Sequence, residues 1–375
     1  MARAKQKLIV GARGSELSRT QAMGVIEAVK ALNPSLEAEF LAIKTTGDDP
    51  ALDLSAGGGP KGLFVKEIEA ALLAGRINLA VHSAKDIPTE LPPGLVLGPS
   101  PKRAPAGDLL CCAKGSGFMA LPKGSKILTS SVRRKAFLLY RRPDLLIEPV
   151  RGNVATRICK ALDLGAAVII AQAAKSRLPE LNLDDAEAIS LDILPPAPGQ
   201  GALALEYREG DAFVKSLIEP LGDPPTTLAL AAERAFARRL NAGCQAPAAA
   251  FAAIEGSKLA MLVALAHPDG QSVVSISLSG PSGTVPAAES LGLLAADKLL
   301  ARAELEAPDI LAALRAGFSV PSIPFNENDL KAGPLFKGSD GQGPQPSGNG
   351  QGGQKGQASQ GESQAGPAPN LRKGS

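Results

Sequence analysis

Apolar residues in this chain fall into short runs, separated by stretches in which they recur every three or four positions. Leu8-Ile9-Val10 reads as a buried strand. Ser15 then offers a cap for a helix reaching about Leu32, with Leu17, Ala22, Val25, Ile26, Val29 and Leu32 on one side. Residues 39–44 predict a second strand. Phe64, Val65, Ile68, Ala71 and Leu72 give a helical face that stops at Gly75. Residues 78–82 predict a strand that runs directly into Ser83-Ala84-Lys85-Asp86 and Pro88. The intervening segment 45–60 is polar and contains Gly57-Gly58-Gly59, which have little conformational preference, so it reads as a mobile flap. Alternation of strand and helix predicts parallel sheets.

The pattern restarts after Pro105. Residues 109–113, 127–129, 145–148 and 167–171 predict strands, with helices over 132–141 and 156–164. Pro195-Pro196-Ala197-Pro198-Gly199-Gln200-Gly201 closes this block, and 202–207 predicts a strand returning to the first one. The expected organisation is an α/β lobe from 1–101 with 198–221, a second from 105–197, and a cleft between them where ligands bind. A third block, 223–320, has an alanine-rich helix over 226–240, antiparallel strands over 260–266 and 273–278, and a helix over 286–301. Residues 332–375 lack apolar periodicity, and from Lys337 they are mostly Gly, Gln, Ser and Pro. They are expected to be a disordered tail.

Charge changes the picture through its placement. The net charge is +3, too small to imply a polyanion partner, and aromatics are only 3%, which argues against base-stacking surfaces for nucleic acid. The cations, however, follow the predicted strands. Arg13 follows the first run. Arg133 and Arg134 stand side by side in Thr129-Ser130-Ser131-Val132-Arg133-Arg134. Arg151 and Arg157 follow Leu146-Ile147, and Lys175 and Arg177 follow Val168-Ile169-Ile170. In open α/β sheets the carboxyl ends of strands face the ligand crevice. Guanidinium forks aimed there, with hydroxyls at Ser15, Ser83 and Ser131, imply a ligand carrying several carboxylates or phosphates. No GxGxxG or Walker A pattern supports a nucleotide.

Other chemistry is sparse. Asp86, after a buried strand and before a proline-stiffened turn, suits a general acid/base; a helix cap or ion-pair partner is the alternative. Lys85 beside it reads as an anion contact or a surface lysine. Cys244 lies in a turn where a thiol can carry a covalent group, or it is simply a small buried residue. The four cysteines show no CxxC spacing and there are two histidines, so no metal site is expected. With no signal-peptide core and no run of membrane-spanning length, a cytoplasmic protein is expected, monomeric for want of a large apolar surface stripe.

The segments GARGSELSRTQA, GGGPKGLFVKEIEAALLAGRINLAVHSAKDIPTELPPGL, TSSVRRKAFLLYRRPDL, RGNVATRICK, PAPGQGALALEYR and AERAFARRLNAGCQAP resemble the porphobilinogen deaminase (hydroxymethylbilane synthase) family over about residues 8–314. The resemblance implies two lobes like type II periplasmic binding proteins and a small α/β domain that carries a cofactor, dipyrromethane, on a cysteine. The matching positions are Cys244 for attachment and Asp86 for catalysis. Arg13, Ser15, Ser83, Lys85, Ser131, Arg133, Arg134, Arg151, Arg157 and Arg177 match residues that bind carboxylates of cofactor or substrate. Lys61 and Phe64 fall beside the flap. The implied substrate, porphobilinogen, carries acetate and propionate. It loses ammonia to give a cationic azafulvene, which the terminal pyrrole attacks, and Asp86 suits each proton transfer. After four additions, water releases the linear tetrapyrrole.

Two stretches depart from the family pattern. Ala173-Ala174-Lys175-Ser176-Arg177-Leu178-Pro179 stands where AGLxRLG is common, and Ala242 replaces a glycine before Gly243-Cys244. A two-lobed anion receptor without turnover is the competing class, since a fold does not dictate a function. Such a receptor needs neither Asp86 nor Cys244. Nucleic-acid binding is the third class, and it would show steeply salt-dependent affinity.

Overall fold

The computed structural model describes residues 7–48, 62–112, 117–241 and 246–317. The first lobe begins with β1 (Leu8–Arg13), α1 (Glu16–Leu32), β2 (Ala38–Ile43), α2 (Lys66–Leu73), β3 (Leu79–Ser83) and β4 (Leu95–Leu97). Ser15 caps α1 by accepting from the Ser18 N–H, as its sequence position predicts. A crossing segment then leads to the second lobe. It comprises β5 (Asp108–Cys111), β6 (Lys126–Leu128), α3 (Val132–Arg141), β7 (Leu146–Glu148), α4 (Val154–Asp163), β8 (Ala167–Ala171), α5 (Ala173–Arg177) and β9 (Glu187–Ile189). The chain crosses back into β10 (Leu203–Arg208) and α6 (Ala212–Ile218).

The two sheets share one plan. Their strand orders are β2-β1-β3-β10-β4 and β7-β6-β8-β5-β9. In each, three parallel strands are followed by one antiparallel strand delivered by a crossing segment, which pairs on its far side with a last short strand. These are two lobes of the type II periplasmic-binding-protein kind. The expectation of parallel sheets therefore needs correction: both sheets are mixed, because β10 and β5 arrive from the opposite direction after a crossing rather than through a local helix.

Each sheet is buried on both faces. Val10, Val25, Ile26, Val81, Leu205 and Ile218 fill one side of the first, and Ile43, Ile68, Leu72, Ile77 and Leu95 the other. In the second lobe Phe118, Ile127, Phe137, Leu138 and Ile169 form one core, and Val150, Val168, Ile170 and Leu183 the other. Inside the first lobe, His82 and the fully buried Glu206 approach to 3.1 Å. Burial, followed by the Glu206 carboxylate, raises the pKa of nearby Glu69.

The third part is α7 (Pro224–Leu240), the antiparallel sheet β11 (Ala248–Glu255), β12 (Lys258–Ala266) and β13 (Val273–Pro281), then α8 (Val285–Glu306) and α9 (Pro308–Gly317). Ala249, Ala264 and Ala266 of its sheet join the core around α3. The crossing segments touch backbone to backbone, with Ala104 N–H donating to Gly201 C=O at 3.2 Å. Gly201 has φ +87°, and a Cβ there would collide with the Ala104 carbonyl oxygen. No described helix is long and apolar enough to cross a membrane.

Candidate active site

Arg13 ends β1 with its guanidinium pinned between a carboxylate and a ring. Nε and Nη2 donate to Asp48 Oδ1, and the cation lies 4.1 Å from the Phe64 ring centroid. Burial would raise the Asp48 carboxyl, but bonds from Arg13 and Thr45 outweigh it and hold the group below its ordinary pKa. Ser83, at the end of β3, receives Gln21 Nε2 on its hydroxyl at 3.0 Å. The next turn, Ala84–Asp86, carries Lys85 half-buried and Asp86 exposed. Lys85 Nζ donates to Gln200 Oε1 at 3.3 Å.

In the second lobe Ser131 caps α3, accepting the Arg134 N–H at 3.3 Å. Arg133 and Arg134, in the first turn of that helix, are buried and turn inward to Asp108 on β5. Burial alone would raise the Asp108 carboxyl; the guanidiniums of Arg134 and Arg133 reverse that and hold it well below the usual range. Arg157 on α4 donates Nε to the Gly152 carbonyl at 2.7 Å. Arg151 is exposed, and its carbonyl accepts from Lys160. Arg177 donates Nη2 to Gly201 C=O at 2.6 Å and lines a cavity of about 270 Å³ with Thr20, Gln21, Pro101 and Leu203. Burial takes its pKa down to about 10.

The cations of the two lobes act on each other. Lys85 is lowered to about 8, first by burial, then by Arg134; Asp86 and Asp108 raise it, and Arg133 lowers it. Arg157 is lowered by burial, then by Arg134 and Arg13, and raised by Asp86. Arg13, Lys85 and Asp86 of the first lobe and Arg133, Arg134 and Arg157 of the second therefore share one region. Arg151 and Arg177 are not tied to it by the interactions above, and Ser15 and Ser131 serve as helix caps. Cys244 and Lys61 lie outside the described residues, as does 49–60 of the expected flap.

A family model described as porphobilinogen deaminase, dipyromethane cofactor binding domain, matches residues 8–216, and one described as porphobilinogen deaminase, C-terminal domain, matches residues 227–301. This chain belongs to the porphobilinogen deaminase family. Relatives include the porphobilinogen deaminase of Syntrophotalea carbinolica, 47% identical over 308 residues, covering 82% of this chain and 96% of the relative. That of Moorella thermoacetica is 43% identical over 295 residues, covering 78% and 93%. Among solved structures, the BenM effector binding domain with its effector benzoate is 13% identical with a TM-score of 0.37, covering 58% of this chain and 91% of that one.

The donors fit the cofactor that the porphobilinogen deaminase domain model names. Buried Arg133 Nε and Arg134 Nε have no hydrogen-bond partner among the described residues. Arg157 and Arg177 bond to backbone carbonyls rather than to carboxylates. Spare guanidinium hydrogens beside an exposed acid suit an anionic ligand with several carboxylates. Sequence reading missed Asp48, Asp108 and Gln200 as partners of these cations. The signal for Asp108 was a carboxylate immediately before an apolar strand, and for Gln200 its place between two glycines.

Proposed function

We propose that this chain is a hydroxymethylbilane synthase. It joins four porphobilinogen molecules head to tail with loss of ammonia, on a dipyrromethane held covalently by Cys244, and releases the linear tetrapyrrole by hydrolysis. The observation that carries this reading is Asp86, an exposed acid whose charge acts on Lys85 of its own lobe and on Arg157 of the other. Family membership over both matched regions supports it. The bound dipyrromethane supplies the pyrrole end to which each substrate is joined.

The chain's own residues do the rest. Arg13, Arg133, Arg134, Arg151, Arg157 and Arg177, with Lys85, Ser15, Ser83 and Ser131, hold carboxylates of cofactor and substrate. Each charge-assisted bond contributes about 1.5–3 kcal/mol. Asp86 donates a proton to the departing amine, offsets positive charge on pyrrole nitrogens and accepts the final proton. Phe64, whose ring lies under Arg13, and Lys61 adjoin the expected flap in sequence. Residues 1–101 with 198–221 and residues 105–197 are the lobes, and 223–320 is the cofactor-attachment domain, with 332–375 a tail of no assigned role. The enzyme works as a cytoplasmic monomer without nucleic acid; low aromatic content and a net charge of +3 support the last point.

The test is the intact mass of protein purified from cells that make porphobilinogen. The expected result is a dipyrromethane adduct that disappears in Cys244→Ser, and turnover that falls at least about 100-fold in a folded Asp86→Ala variant. An unmodified chain that consumes no porphobilinogen sinks the assignment and favours the receptor.

A further inference from the structure

Two buried guanidiniums side by side repel, and burial strengthens the repulsion. A third group holds Arg133 and Arg134 together. Asp108, fully buried on β5, gives one oxygen to each: Oδ2 accepts Arg133 Nη2 and Oδ1 accepts Arg134 Nη2, both at 2.7 Å. Their other bonds go to backbone carbonyls, Pro195 for Arg133 and Ile169 for Arg134. Asp108 Oδ1 also accepts Gln200 Nε2 at 3.0 Å. The same Nε2 donates to the carbonyls of Ala106 and Gly107. Three acceptors on one side fix the amide's orientation, so its oxygen is the end that faces Lys85. A line of bonds thus runs from Lys85, next to Asp86, through Gln200 on the returning crossing, to Asp108 and the arginine pair.

We propose that Asp108 is a positioning residue of the enzyme: its single carboxylate aims Arg133 and Arg134 and, through Gln200, sets the place of the Lys85 ammonium beside Asp86. This rests on the function assigned above. Four charged groups act on Lys85 besides burial: Arg134 and Arg133 disfavour its charge, Asp86 and Asp108 favour it. Neutralising Asp108 removes one of two supporting anions, so Lys85 loses its proton at lower pH. Gln200→Glu adds an anion beside Nζ and acts in the opposite sense.

The test follows the Lys85 13Cε resonance across pH in 13C-lysine-labelled protein, with the assignment taken from its loss in Lys85→Arg. The wild-type midpoint is the reference. Asp108→Asn should move that midpoint down, and Gln200→Glu up, each by about one pH unit. In steady-state assays, Asp108→Asn should raise KM for porphobilinogen about tenfold with a smaller change in kcat. The basic limb of kcat/KM should move with the resonance. A purely architectural Asp108 predicts lower thermal stability with an unchanged Lys85 midpoint, and that result overturns the proposal. If one variant fails to fold, the other decides; loss of fold in both overturns it too. If wild type shows neither adduct nor turnover, the functional assignment fails, and the resonance still decides whether Asp108 governs Lys85.

Discussion

Lys85 keeps its ammonium close to two buried guanidiniums, and its pKa falls from 10.5 to about 8. Between those values the unfolded chain binds the proton and the folded chain does not. Stability from this residue therefore rises with pH across that window, and its contribution is least favourable below it. A side chain held charged against its surroundings marks a site built for an anion. In a Cys244→Ser background, which carries no dipyrromethane, Lys85→Met should raise Tm at pH 7 by about 2 °C, with the gain fading as pH approaches 10.5; calorimetry at both pH values checks this, and a lower Tm at pH 7 contradicts it. The pattern HSAKDIP gave this residue and Asp86 their turn after a strand. It could not show Asp108 as the partner of Arg133 and Arg134, because that pairing depends on β5 entering the sheet next to β8.

Among the elements, the crossing segments leave each other little room. Gly201 combines a left-handed backbone with contact against the Ala104 carbonyl. Gly201→Ala should cost about 3 kcal/mol, read from urea unfolding, while unchanged stability would mean that the two crossings can part. Long helices were legible: α1 lies where periodicity and the Ser15 cap put it, and α3 spans the expected 132–141, though its cap, Ser131, was read as a ligand contact. Strand β11 escaped because Ala248–Glu255 is alanine-rich and has no strand-like alternation; it is a strand because all eight residues pair with β12. The short strands β4 and β9 escaped for a related reason, since each exists only as the outer partner of a strand from a crossing. The two-lobe plan was visible in the restart after Pro105, but strand direction was not. Local alternation predicts parallel neighbours and is blind to a strand returning from far along the chain.

At the scale of the molecule, Glu233 on α7 joins three regions. It accepts Nη1 and Nη2 of Arg103, at 2.6 and 3.1 Å, from the first crossing, the Gly199 N–H from the second, and the Ala252 N–H from β11. Replacing it with Gln leaves Arg103 without its counter-charge, a loss of about 3–5 kcal/mol for a buried pair. Wild type should unfold in one calorimetric transition. In Glu233→Gln an earlier transition for α7–α9 should separate from it; one unsplit peak would show that the joint lies elsewhere. The insertion of β10 between β3 and β4 also orders the molecule's assembly in time. Strand β4 pairs only with β10 in the described sheet, so the first lobe, begun at Leu8, must wait for Leu203–Arg208 to leave the ribosome, by which point β5–β9 of the second lobe already exist.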